Sequence, residues 1–411
     1  MKKIKVSSLI LAFTMLPVLL PDGIVSMLGI ENRSMLLIRG LDLVILLFLM
    51  IKKNSKISFP FIMLFVIYCT IIFSAYIHGH NQLISFLSTN FNGLVMCAAL
   101  EYWLNNNFEK TIIFLKNILF FLIVINLFII VLFPNGLYAA TYKFTQVTLT
   151  DHLTYNLNWL FGYKNNQFGI ILPFLGIYCI YRICICNKFK NTSLIVFLVC
   201  IMKEFLAKAT MSLILITIFT FSVFFISQKN NKISSILSKF YNIKTIIVIT
   251  IIIVISVIGV SSSSFISNSL SQLSMALGKD VTFNGRSSIW LVAINFIKKS
   301  PIIGYGNINS EIFIEQSRIL GGTNAHNFIL HVLISGGLLC LAEYTVLYWY
   351  IIRFLYNNKC IIASIMGIVI GLFFVDGITS ICMYYPFFNG LFILAFYAVC
   401  FYCKKNRREI K

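Results

Sequence analysis

The chain has 411 residues, of which 59% are hydrophobic and only 11% charged. So little charge excludes a water-soluble enzyme, and apolar runs of the roughly 20 residues that a bilayer span needs recur along the whole chain. The formal net charge of +20 would suit nucleic acid, yet no basic, aromatic-laced soluble domain is present to carry such binding.

Strand alternation of the membrane-barrel kind is absent, so only helices can satisfy the backbone in a bilayer. The fold class expected is all-α, a single polytopic membrane domain over 1–411. The opening MKKIKVSSLILAFTMLPVLLPDG has the basic start and apolar middle of a signal peptide but no small-residue cleavage site. It reads as a retained first span. In chain order the apolar runs predict twelve spans: 6–21, 34–51, 58–77, 84–104, 111–133, 167–184, 192–207, 210–227, 245–263, 325–352, 361–379 and 386–403.

With the N-terminus placed in the cytoplasm, twenty-one of the 33 Lys and Arg fall in inner segments and ten in outer ones. The inner connectors are also shorter, so the density bias is steeper, and both termini are expected inside. Two long loops then face outward, 134–166 and 264–324, the second between spans nine and ten. Loops of that length are usually functional. The eleven cysteines lie in or beside apolar runs and read as packing residues, with no disulfide or metal site expected.

The second loop holds VTFNGRSSIWLVAINFIKKSPIIGYGNINS (281–310). Asn284 or Ser287 can cap a helix whose apolar stripe is Ile289, Val292, Ala293, Phe296 and Ile297. Lys298 and Lys299 suit its C-terminal end, Pro301 stops it, and Gly304 and Gly306 allow a tight turn. This helix is expected to lie in the interface plane with Trp290 at headgroup level. Arg286, between Gly285 and the helix start, brings a guanidinium to free helix amides, a combination suited to phosphate.

Other polar groups are expected at the same outer depth: Lys203, Glu204 and Lys208 around the end of the seventh span, Asp376 near the end of the eleventh, and Arg39 with Asp42 in the second. Arg39 and Asp42, at i and i+3, can neutralise each other. Glu101 and Glu343 lie nearer the inner side and read as structural. His326 and Asn327 stand at the mouth of the tenth span. His331, five residues on and about 140° round a helix, would not share a face with His326 and reads as structural. His78, His80 and His152 fall in outer loops with no partner evident from the sequence.

GRSSIW, KKSPIIGYG and NAHNFILHVLISGGLL, in that order, resemble the conserved block of the O-antigen polymerase and O-antigen ligase superfamily. FGYKNNQFG (161–169) is similar to that family's Gly and Asn pattern at the sixth span, and the topology extends the resemblance to the whole chain. The resemblance implies a metal-independent, inverting glycosyltransferase without cofactors, whose donor is a glycan on undecaprenyl pyrophosphate. By position, Arg286 would hold the pyrophosphate with Gly285, Trp290 and Asn166 nearby, His326 would be base or orienter for the acceptor hydroxyl, and Asn327 would fix its geometry. The family's Ser-Arg pair at the eighth span is missing. LAKATMSLILI stands there, so Lys208 or Lys203 would supply the second cation, and Glu204 rivals His326 as base.

These implications favour an O-antigen or capsular repeat-unit polymerase at the outer face of a bacterial cytoplasmic membrane, with membrane lipid and a chain-length regulator as partners. A ligase acting on a lipid A core or protein acceptor is the alternative. A lipid-linked glycan flippase is disfavoured, because no internal repeat is found and the polar groups concentrate at one level.

Overall fold

A computed structural model describes residues 6–27, 32–140, 156–187, 193–227, 286–306, 308, 313, 324–378, 380–382 and 385–409. The ninth expected span, Gly285, and most of the loop on either side of residue 308 lie outside the described residues.

The chain begins with α1 (Val6–Leu19), the short α2 (Asp22–Met27), α3 (Asn32–Lys52), α4 (Phe59–Ile77) and the long run α5 (His80–Leu132). A small antiparallel sheet follows, in the order β1 (Tyr138–Ala140), β2 (Asn156–Trp159), β3 (Gly162–Tyr163). A 3-10 turn (Lys164–Gln167) leads into α6 (Phe168–Ile180), which ends in one π-helical turn. Then come α7 (Ser193–Leu206), α8 (Thr210–Ser227), α9 (Arg286–Lys299), α10 (Phe328–Asn358), α11 (Ile361–Asp376) and α12 (Pro386–Glu409). Among the described residues six helical stretches are long and apolar enough to cross a membrane, and α1, α8 and α11 hold shorter apolar ones. Large apolar side chains such as Leu37, Phe73, Phe121 and Phe221 are exposed, as a lipid-facing surface requires. The protein is an all-α polytopic membrane protein, and the sheet is an addition that the loop sequence 134–166 did not announce.

Two of the long helices are not straight. In α5 the run breaks at Asn107 (φ −147°, ψ 60°). Thr111 Oγ1 there donates to the carbonyl of Trp103 at 3.2 Å, although eight residues of unbroken helix would separate them by about 12 Å. The chain therefore reverses, and α5 contains the two spans expected at 84–104 and 111–133. Polar Asn105, Asn106 and Asn107 make this turn possible. Asn105 donates to Lys56 O at 2.9 Å, and Lys53 reaches Asn106 at 3.4 Å.

In α10 the break is at Gly337 (φ 64°, ψ −160°), backbone that only glycine adopts readily. The ring of Phe328 lies 5.4 Å from that of Tyr344 and 6.5 Å from that of Tyr348. Along one helix those separations would be about 24 and 30 Å. Residues 328–336 thus form a first limb folded back on a second limb, residues 338–358. The span expected over 325–352 is corrected: the long helix proper begins at Leu338, and Phe328, two residues after His326, lies against its Tyr344 and Tyr348 instead of leading into it. Gly336–Gly337 supplies the turn that an apolar run alone conceals.

α5 is the hub, with α1, α3, α4, α6 and α12 packed on it. The bundle's two ends differ. At the lower end basic connectors gather, and Lys405 donates to Cys184 O at 2.8 Å. There Glu101 is buried and accepts from Ser58 N (2.7 Å), Ser58 Oγ (2.6 Å) and Tyr397 OH (2.8 Å), so it fastens the start of α4 to α5 and α12. Glu343 accepts from Thr70 at 2.7 Å. The structural reading of both glutamates follows from these bonds. The expected neutralisation of Arg39 by Asp42 is not formed. Arg39 instead donates to Pro17 O at 3.3 Å, while both oxygens of Asp42 are buried without a hydrogen bond.

Candidate functional site

At the upper end the start of α10's first limb is docked onto the end of α11. Asn327 is extended (φ −154°, ψ 128°) and caps the limb, its Oδ1 accepting from Leu330 N at 3.0 Å. Its Nδ2 donates to Ile378 O at 3.2 Å, and Phe328 N donates to Gly377 O at 2.7 Å. Both functions of the Asn327 amide are therefore used inside the protein. Two of the first amides of the limb are also taken, so this helix start is not an open anion cradle despite its dipole. His326, immediately before the cap, is half-buried and left-handed (φ 42°), a conformation uncommon outside glycine and asparagine that concentrates at functional sites. Its N–H donates to Asn324 Oδ1 at 2.9 Å.

Because His326 lies outside the helix, the helical-wheel separation from His331 does not apply. The two imidazoles are close enough to feel each other's charge, and His331 is buried. Just before Gly377 stands buried Asp376, whose carboxylate accepts from Ser380 Oγ.

The P-x-x-G-x-G stretch explains how the folded-back limb is held. Tyr305 N donates to Ile334 O at 2.6 Å and Gly306 N to Ser335 O at 2.7 Å. In return Leu338 N donates to Pro301 O at 2.8 Å and Leu339 N to Ile302 O at 3.2 Å. The loop after α9 therefore satisfies the backbone groups that the broken helix frees, a requirement at membrane depth. A Cβ on Gly304 would meet Ile334 O at 2.5 Å, and one on Gly306 would meet Ala75 Cα at 2.4 Å. These glycines serve close backbone approach as well as the turn expected of them.

α9 lies along α10, with Ile289, Trp290, Val292, Ala293 and Phe296 buried against Leu330, Ile334 and Ala325. The stripe expected from the sequence is present, but it faces protein. Trp290 is correspondingly packed against protein in the fold, because the folded-back limb offers it an apolar partner. Arg286 is the first residue of α9; its side chain lies outside the described residues. His78, with no partner expected, meets the Tyr305 ring in a tilted contact, centroids 4.5 Å apart and planes at 47°.

A second polar group sits beneath the hairpin of β2 and β3. Lys203 and Glu204, both fully buried, form an ion pair at 2.8 Å. Lys203 Nζ also donates to Gln167 Oε1, and Asn126 Nδ2 donates to that same oxygen at 3.3 Å. The Ser212 hydroxyl is beside the Glu204 carboxylate, and Tyr385 feels the charges of both Glu204 and Asp376. Gly169 is where α6 lets Tyr385 in, since a Cβ there would lie 2.3 Å from the ring. Tyr385 thereby stands between the two polar groups.

Of the candidates, Asn327, Lys203, Glu204 and Trp290 are buried, His326 is half-buried, and Lys208 and Asn166 are exposed. Lys208 occupies the α7–α8 turn with φ 54°. Lys203 and Lys208, interchangeable in sequence, are thus different in kind. Sequence reasoning missed Gln167 and Tyr385, for which the only signals were the polar end of FGYKNNQFG and the tyrosines before Pro386.

Among the described residues, buried His331 and Asp376 lie around the folded-back limb and buried Lys203 and Glu204 beneath the hairpin, while buried Glu101 stands apart at the lower end; ionisable groups buried in a membrane protein commonly mark functional sites. Residues 192–345, spanning α7 to the second limb of α10, match the family model for O-antigen ligase. Over that segment the chain is similar to the O-antigen ligase family, a match that supports the O-antigen ligase and polymerase superfamily and a glycosyltransferase-like activity of that type on lipid-linked polysaccharide in a membrane. Comparison with curated proteins gives no match.

Proposed function

We propose that the protein is a repeat-unit polymerase of surface polysaccharide, O-antigen or capsule, in the bacterial cytoplasmic membrane. The reading puts both termini in the cytoplasm and the upper end outside. The observation that carries it is the joint held by backbone bonds between the first limb of α10, which starts at His326–Asn327, and the loop after α9, which starts at Arg286. One rigid unit then sets the two groups that the chemistry requires.

In the proposed reaction an acceptor sugar hydroxyl attacks the anomeric carbon of the lipid-linked glycan. The new C–O bond forms as the bond to pyrophosphate breaks on the opposite face, with inversion. His326 takes the hydroxyl proton, and the electron pair leaves with polyprenyl pyrophosphate. Arg286 offsets the charge on that leaving group without a metal ion, and exposed Lys208 is the second cation. Asn327 positions His326 through its two amide bonds. Asp376, next to the Gly377 carbonyl on which Phe328 N docks, is the proposed charge partner for the proton that His326 gains.

The test is a gel of surface glycan from a deletion strain carrying wild type, His326→Ala or Arg286→Ala. Wild type should give a ladder, and the variants single capped units, at equal protein levels. Normal ladders from both variants would overturn the mechanism. The family description of an O-antigen ligase supports a second reading. In that case deletion would leave the ladder on its lipid carrier, unattached to a lipid A core or protein.

A further inference from the structure

The hairpin that links β2 to β3 is seated by a distinctive set of contacts. Trp159 packs among Ile130, Ala207 and Ala209, and its Nε1 donates to Phe133 O at 2.8 Å. Leu160 O accepts from Gly23 N at 3.1 Å, and a side chain on Gly23 would collide with that carbonyl at 2.5 Å. Phe161 presents its ring to Lys203 Nζ at 5.5 Å, and Gln167 accepts from the same ammonium. Among the described residues the Lys203–Glu204 pair is thus the charged part of a seat otherwise made of apolar side chains, backbone groups and the amides of Gln167 and Asn126. It is fully buried, and its two charges cancel. Such a pair offers an incoming pyrophosphate no net charge, and its ammonium already has a carboxylate, an amide oxygen and a ring face as partners.

We infer that Lys203 and Glu204 are positioning residues: their ion pair clamps the β2–β3 hairpin and the 3-10 turn to α7, and so holds the exposed Asn166 and half-exposed Lys164 at the rim where a lipid-linked glycan binds. The clamp stands on the geometry alone; the rim's role rests on the proposed function. A buried ion pair can be exchanged for neutral groups of similar shape with little loss, whereas removing one partner strands the other charge. This separates the clamp from direct roles in catalysis or pyrophosphate binding. A cation that holds the leaving group, or a base that takes a proton, is not restored by deleting its neighbour.

The experiment compares Lys203→Met, Glu204→Gln and the double variant as full chains in lipid nanodiscs. Hydrogen exchange at the amides of Asn158–Tyr163 reads the clamp without any substrate. Each single variant should speed exchange there about tenfold or more, and the double variant should return to within about threefold of wild type. Turnover of lipid-linked repeat unit extracted from the host strain reads the consequence. The single variants should raise KM more than they lower kcat, and the double variant should recover both. Unchanged exchange in the single variants would overturn the clamp, as would a double variant as loose as they are. A double variant with a closed hairpin and no turnover would place one of the pair on the substrate and overturn the assignment. Wild type with no glycan transfer would sink the proposed function while leaving the exchange result to stand for the clamp.

Discussion

Gly337→Ala tests the folded-back limb of α10 directly. At φ 64° and ψ −160° any residue with a side chain sits in a region that costs on the order of 1–3 kcal/mol. The added methyl would also lie 2.1 Å from Ile302 O and 2.5 Å from Ile303 N, which are backbone atoms that cannot swing aside. The loop after α9 would have to retreat, and the bonds from Leu338 N and Leu339 N to it would lengthen or break at about 1 kcal/mol each. Together these terms come to about 3–5 kcal/mol, a large share of the margin that holds a domain folded. The measurement is thermal unfolding of the purified protein in detergent, with a drop on the order of 5 °C or more expected, and loss of glycan ladder in the complemented strain. Gly371→Ala is the control. A methyl there meets nothing within 4 Å, and alanine suits the middle of α11 better than glycine by about 0.5–1 kcal/mol. If Gly337→Ala unfolds and polymerises like Gly371→Ala, the break is not where the limb is fixed, and the positioning of His326 needs another explanation.

At the lower end, Glu101→Leu should destabilise by about 2–4 kcal/mol, because it strands Ser58 N, Ser58 Oγ and Tyr397 OH inside the bundle. Tyr397→Phe should cost only about 1 kcal/mol, and neither should change turnover per folded molecule; a specific activity that falls with stability unchanged would place Glu101 in the reaction path. Asp42→Leu should raise the unfolding temperature, since it removes a buried carboxylate that receives no hydrogen bond. A lower temperature would mean that Asp42 has a stabilising partner in the folded protein.

What the sequence showed and what it hid follow from the range of each signal. α3, α4 and α8 fall within about two residues of their expected spans because an apolar run bounded by Ser58, Lys52 or Ser227 is a local property. The turn inside α5 was legible too, as three consecutive asparagines interrupt the apolar pattern. The reversal in α10 was hidden because hydropathy is blind to direction. ILHVLISGGLLCL reads as one span whether or not the chain folds back at Gly337. Its signal was distributed between two glycine motifs thirty residues apart, and neither implies the other until their backbones are seen to bond. Trp290 shows the same limit, since a stripe announces an apolar face without naming what covers it. Lys203 shows it for charge. Its neighbour Glu204 was visible, but Gln167 and Phe161 come from an earlier segment and are brought together only by the seating of the hairpin.

That last point bears on the missing Ser-Arg pair. Substituting Met211 and a lysine for an arginine in this region looks at first like a weakened pyrophosphate site. With Lys203 neutralised by Glu204, the only described cation of the α7–α8 corner left for a phosphate is Lys208. It sits on a left-handed turn residue whose backbone is fixed by Lys208 N to Phe205 O at 3.0 Å and Ala209 N to Glu204 O at 3.1 Å. A fixed backbone under a four-carbon flexible stem gives a mobile point charge, unlike the planar fork of an arginine. In the proposed reaction such a charge would follow the pyrophosphate as the leaving group departs, at the expense of orienting it. On that proposal orientation would come from Arg286 and from the relation of α9 to the first limb of α10. This gives the backbone joint between Pro301–Gly306 and Ile334–Leu339 its importance: the more the cations at one corner are free to move, the more the reaction depends on the part that is not.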